Sequence, residues 1–309
     1  MSHIVSLIPS GTEMICALGC QDQLVGRSHE CDFPVGVKRL PVCTEPAIAI
    51  EGCSQDIHDR VSKRLENNLS VYQVKTAILG ELQPDIIVTQ TQCDVCAVSF
   101  TEVEQALKET LNIQPTVIPL HATTLQGVWD DLQRVAEGVG RIQEGQKLLQ
   151  TYQSRITAIA RPDRDLRPRP TIACIEWMEP LMAAGNWVPE LVHLAGGQSL
   201  FGHPGEHAPW ITWEGLAAAD PDILVLMPCG FSMTRIQEEL PVLTRHPLWT
   251  QLRAVQSEKV YLTDGNQFFN RPGPRLVESL EILAEIFHPA HFQFGHEGRG
   301  WRQWVPKEC

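Results

Sequence analysis

Little in this chain of 309 residues suits it to a membrane or to nucleic acid. Its apolar runs fall well short of the roughly 20 residues that cross a bilayer, so no direct membrane insertion is expected. Basic residues are scarce, 25 against 37 acidic ones, and the formal charge of −12 leaves no surplus for a face that displaces counterions from phosphates. No nucleic-acid partner is expected. The opening Met1-Ser2-His3-Ile4-Val5-Ser6-Leu7-Ile8-Pro9-Ser10 lacks a basic leader, and its apolar run is strand-length and closed by proline, which predicts a cytoplasmic protein. Catalytic signatures are missing too. Ser10 lies in no Gly-x-Ser-x-Gly elbow and no Walker-type phosphate loop occurs, so no enzyme is expected. Cysteine, by contrast, is plentiful at 10 residues, which in a reducing compartment read as free thiols, metal ligands or redox groups before disulfides.

Apolar runs over residues 4–8, 85–89 and 116–120 are rich in β-branched side chains and bounded by proline or polar residues, so they predict strands. Helical spacing follows Ser10-Gly11-Thr12 over 13–18, and covers 100–111, where Ser99 and Glu102 make a capping box. The second half repeats the plan, with strands over 171–176, 222–227 and 260–263 and helices over 215–219 and 274–287. Such alternation predicts a parallel sheet covered on both faces. Chain length favours two lobes, because single cores stop growing near this size. Two segments echo one another across the halves: 82–88 resembles 219–225, and 12–19 resembles 189–196. A helical period over 141–160, about 30 Å long if unbroken, is placed to join the lobes. The expected divisions are an α/β lobe over 1–124, a helical segment over 125–164, a second α/β lobe over 165–289 and a tail over 290–309 with no assigned role.

Ligands of parallel α/β sheets gather beyond the carboxyl ends of the strands, so the loops there carry the candidate chemistry. Cys31, Cys93, Cys96 and Cys229 fall in such loops. A Cys-x-x-Cys pair lets two thiolates reach one metal, and two more would complete a tetrahedral zinc site or an iron-sulfur ligand set. Inert buried thiols and a Cys93/Cys96 oxidoreductase dithiol are the alternatives. His29 is a further axial ligand or a residue bonded to its own loop. Aromatics crowd the second half: Trp177, Trp187, Trp210, Trp213, Phe231, Phe268 and Phe269 lie in or near predicted loops, where flat rings suit a planar ligand or pack a lobe. Arg271 and Arg275 flank the Pro272-Gly273-Pro274 turn and are placed to hold an anionic or amide-rich ligand edge.

The run Ile4-Val5-Ser6-Leu7-Ile8-Pro9-Ser10-Gly11-Thr12-Glu13, the Pro-Asp-Ile strand starts, the long central helix and the ending Arg271-Pro272-Gly273-Pro274-Arg275-Leu276-Val277 together resemble the helical-backbone substrate-binding proteins that serve vitamin B12 and iron-siderophore importers. The likeness runs from about Ile4 to His288 and leans towards a cytosolic, cobalamin-binding branch. It implies two Rossmann-like lobes with parallel sheets joined by one long helix, and a cobalamin-type corrinoid or related metal chelate held in a cleft between them. It further implies that Ser10, Thr12 and His29 line the first lobe's face and Trp177, Trp187, Phe268 and Phe269 the second's, with Phe231 and Arg271 nearby. The leading expectation is thus a non-enzymatic corrinoid-binding protein. The alternatives are a zinc or iron-sulfur metalloprotein using Cys31, Cys93, Cys96 and Cys229, and a thiol oxidoreductase. The sequence names no importer or recipient protein.

Overall fold

A computed structural model describes residues 2–67, 69–91, 115–160 and 168–306. The chain divides into two compact units. The first comprises Met1–Gly52, Asp56–Ala122 and Gln126–Thr151; the second comprises Cys53–Gln55, Thr123–Leu125 and Tyr152–Cys309.

In the first unit β1 (Ile4–Ser6) leads into α1 (Pro9–Ala17), followed by β2 (Leu24–Arg27), β3 (Thr44–Pro46), α2 (Ser54–Glu66), β4 (Tyr72–Val74), α3 (Thr76–Leu82), β5 (Ile86–Gln90) and β6 (Thr116–Leu120). Its sheet has the order β2-β1-β5-β6 and is parallel throughout, as the alternation of strand and helix predicts. A small antiparallel pair, β3 with β4, was not foreseen. Helix α1 begins earlier than the sequence suggests, and Ser10-Gly11-Thr12 form its first turns rather than a loop. Pro9 suits that start because its fixed φ and missing N–H cost nothing at the first helical position. Gly11 suits it because a Cβ there would come 2.7 Å from the Val88 side chain of β5. The helix expected over 100–111 lies outside the described residues.

Helices α4 (Leu125–Gly138) and α5 (Ile142–Ile159) follow, close to their expected bounds, and the division between the units falls within α5, after Thr151. The second unit then runs β7 (Thr171–Trp177), β8 (Met182–Ala183), α6 (Val188–Leu194), β9 (Gln198–Ser199), α7 (Trp213–Ala219), β10 (Ile223–Leu226), α8 (Met233–Glu239), β11 (Val260–Thr263), α9 (Leu276–Phe287) and β12 (Trp301–Gln303). Strands β7, β10 and β11 are parallel, while β8 and β12 add antiparallel edges. Helix α9 is buried at every position but Glu278, so it needs cover all round. The tail supplies part of it: Glu285 accepts the Gly295 N–H at 2.6 Å and the Trp301 indole N–H at 2.7 Å, and Glu281 pairs with Arg155 and His296 at 2.9 Å each. The segment with no expected role is therefore part of the second unit's structure.

Both echoes are real in three dimensions. Helices α3 and α7 each end on a left-handed residue, Gln83 (φ 43°) and Asp220 (φ 41°), before a Pro-Asp pair that enters a central strand. In each, the aspartate accepts a backbone N–H beside the neighbouring strand: His3 to Asp85 at 2.7 Å, and Thr171 to Asp222 at 2.8 Å. Helices α1 and α6 likewise end on matching turns with Gly19 (φ 75°) and Gly196 (φ 87°).

The Thr171 N–H holds the Asp222 carboxyl below its ordinary range, helped by the Thr171 hydroxyl and Arg253. Stabilisation from this group is present above the ordinary carboxyl value of about 4 and is lost as pH falls through the lower folded value. Asp222→Asn is expected to cost about 1–3 kcal/mol near neutral pH, measured by denaturant unfolding. The gap to the wild type should close in acid.

Candidate functional site

In the first unit the strand-end residues are mostly packed or already engaged. Ser10 and Thr12 are buried in α1, and the Thr12 hydroxyl donates to the Cys31 sulfur at 3.0 Å. Cys31 is itself only 1% exposed, so a metal could reach it only if this packing opened. His29 is tied to a neighbouring segment. Thr44 Oγ1 accepts the His29 backbone N–H at 3.1 Å and lies 2.8 Å from the ring Nδ1. The ring Nε2 is buried 3.3 Å from Glu30 Oε1. The hydrogen-bond partner of His29 is thus on β3 and not in its own loop. Ser10 Oγ finds no partner among the described residues.

The other thiols fall into two kinds. Burial pushes Cys16 up to about 12 and Cys43 up to about 11, and it raises Cys174 as well. Such groups stay protonated at neutral pH and are poor ligands and nucleophiles. Cys229, on the turn after β10, is exposed. Cys93 and Cys96 lie outside the described residues, and with them the centre of the zinc, iron-sulfur and dithiol expectations. Among the described residues no group of three or more His, Cys, Asp or Glu side chains could hold a metal ion.

In the second unit the strand ends bring rings and guanidinium groups together. Trp177 closes β7 and meets Phe231 edge to face, with ring centres 5.4 Å apart, and Arg235 places its guanidinium 3.9 Å over the Phe231 ring. The Trp177 indole N–H is buried with no acceptor among the described residues. Trp187, by contrast, donates to the Phe269 carbonyl at 2.6 Å, while the Phe269 N–H reaches the Ser279 hydroxyl at 3.1 Å. The loop after β11 is braced from within: Asp264 accepts the N–H groups of Asn266 and Gln267, Arg271 donates to Asn266 Oδ1 at 3.0 Å, and Arg275 lies 5.5 Å over the Phe268 ring.

Burial sorts the expected rings. Trp187, Phe231, Phe268 and Phe269 are all at most 5% exposed and form a packed floor, and Trp177 is partly exposed above them. Of the rings expected near loops Trp210 is open to solvent, at 56%, and so, outside that set, is Phe33, at 36%. Both sit in stretches without helical or strand period, the one signal in the sequence that marks them. Arg235 was missed because it lies within a helical stretch, where a cation reads as solvated surface.

A two-unit α/β chain with its candidate chemistry at parallel strand ends has the build of a solute-binding protein. Residues 4–266 match the family model described as Periplasmic binding protein, and the chain is a member of that family. The chain is thus a binding protein and not an enzyme. It is 22% identical over 298 residues to the uncharacterized ABC transporter substrate-binding lipoprotein YvrC of Bacillus subtilis, covering 94% of this chain and 81% of the relative. It is 20% identical to the vitamin B12-binding protein of Vibrio parahaemolyticus, covering 93% and 90%. Among solved structures, a periplasmic heme-binding protein from Pseudomonas aeruginosa superposes with a TM-score of 0.72 at 19% identity, covering 100% of this chain and 99% of that one.

These relatives overturn the cytoplasmic expectation, because they are lipoprotein and periplasmic proteins that face outward. The expectation rested on the opening residues. Those hold β1, three buried residues at the centre of the first sheet, so they report on packing.

Mass spectrometry after brief treatment with a maleimide at neutral pH is expected to find Cys229 modified well before Cys16, Cys43 or Cys174. The order should invert nowhere below the unfolding transition.

Proposed function

We propose that the protein binds a cobalamin-type corrinoid at the strand-end face of its second unit and delivers it to an ABC importer. The observation that carries this reading is the Trp177 indole, whose buried N–H has no acceptor among the described residues and whose ring stands on Phe231. A buried donor left unpaired costs about 1–3 kcal/mol, so its persistence at a strand end fits an acceptor brought by a ligand. A corrinoid offers such acceptors on its amide fringe, and its flat ring suits contact with partly exposed aromatics. The vitamin B12-binding relatives, aligned over most of their length, support the same ligand class. Arg271 and Arg235 supply further donors beside the rings.

Titration with cobalamin, followed by calorimetry and by quenching of tryptophan fluorescence, is expected to show one saturable site. Trp177→Phe keeps a ring and removes the N–H, and it should weaken binding by about tenfold, equivalent to ~1.4 kcal/mol. Absence of any response to corrinoids, or tighter binding of haemin than of every corrinoid tried, overturns the reading.

A further inference from the structure

Basic side chains gather at one corner of the second unit. His193 stands in the last turn of α6, His288 caps α9, His291 follows three residues later, and Arg169 precedes β7. His288 is 9% exposed; its Nε2 lies 3.4 Å from the Gly196 carbonyl oxygen and its ring centre 6.4 Å from that of His291. Arg169 Nη1 lies 3.5 Å from His193 Nδ1, a contact that only a neutral imidazole can accept.

Acidic groups on the elements packed here face elsewhere. Glu190 of α6 accepts the Leu125 N–H at 3.1 Å. On α9, Glu281 is held by Arg155 and His296, and Glu285 by the tail. Among the described residues, the charged groups that act on His288 are His291 and Arg169, both of them basic.

We propose that this corner is an acid-sensitive catch, which keeps the ends of α6 and α9 together while the His288 imidazole is neutral and loosens when it takes up a proton. That proton would be repelled by Arg169 with no described carboxylate to receive it. Burial lowers His288 below its ordinary range, and His291 and Arg169 add to the effect. The sign follows from that direction. The folded chain binds this proton less readily than the unfolded one, so stability is complete above the ordinary histidine value of about 6.5 and declines as pH falls through it.

The test uses thermal unfolding of the full chain without ligand, so its outcome is independent of corrinoid binding. Between about pH 7.5 and about pH 5 the wild-type midpoint is expected to fall about 2–4 °C further than that of His288→Gln, which keeps a donor for Gly196 and cannot be charged. Arg169→Gln, at an exposed position, should leave the neutral-pH midpoint in place and make the acid decline smaller. Imidazole nitrogen NMR is expected to show His288 titrating below the ordinary range. Equal acid slopes in the wild type and Arg169→Gln, or a His288 titrating at or above that range, overturns the proposal even if His288→Gln does not fold.

Discussion

Parallel strands cannot be joined by a tight hairpin, so their register must be fixed by something other than a turn. Here a single carboxylate does it in each unit. Asp85 and Asp222 stand one residue before a central strand and take a backbone N–H from the strand beside it. Ile4 is thereby set opposite Ile86, and Ile172 opposite Ile223. A slip of one residue would exchange the side chains packed on the two buried faces, so these bonds protect the core as well as the order. With the starts level, the strand ends of each sheet finish together, and the loops that follow them share one side.

What stands on that side is shaped by burial more than by residue type. The second unit uses most of its strand-end aromatics as floor, with Trp187 and Phe269 locked to each other through an indole-to-carbonyl bond. Trp177 alone of the expected rings keeps both partial exposure and an unmet hydrogen-bonding need. Beneath them α9 carries two carboxylates into the interior. Each is met by several donors, which is what makes ions tolerable in a helix with no solvent face.

The alternation of strand and helix was legible because parallel strands leave short apolar runs with β-branched residues, as in residues 116–120 and 260–263, where expected and observed bounds coincide. The start of α1 was hidden because Pro9 and Gly11 look like breakers, although one is suited to a helix's first position and the other to close contact with Val88. Strand β12 was hidden because three residues show no period. The site was less legible than the fold. Sequence places Cys31 and Cys229 alike after strands, but one is sealed beneath Thr12 and the other faces solvent. Solvent access is decided by what packs around a residue, and a single line of sequence does not state that.

The bends that end α3 and α7 show how such a shape outlasts its letters. Glycine would adopt the left-handed angle most easily, yet one bend has Gln83, whose side chain donates to the Gly80 carbonyl, and the other has Asp220, which grips Arg253. Two unlike residues thus hold one angle by separate means. Kinship in this chain resides in backbone angles more than in amino-acid identity, which is how about one residue in five can match a distant relative while nearly the whole course of the chain is kept.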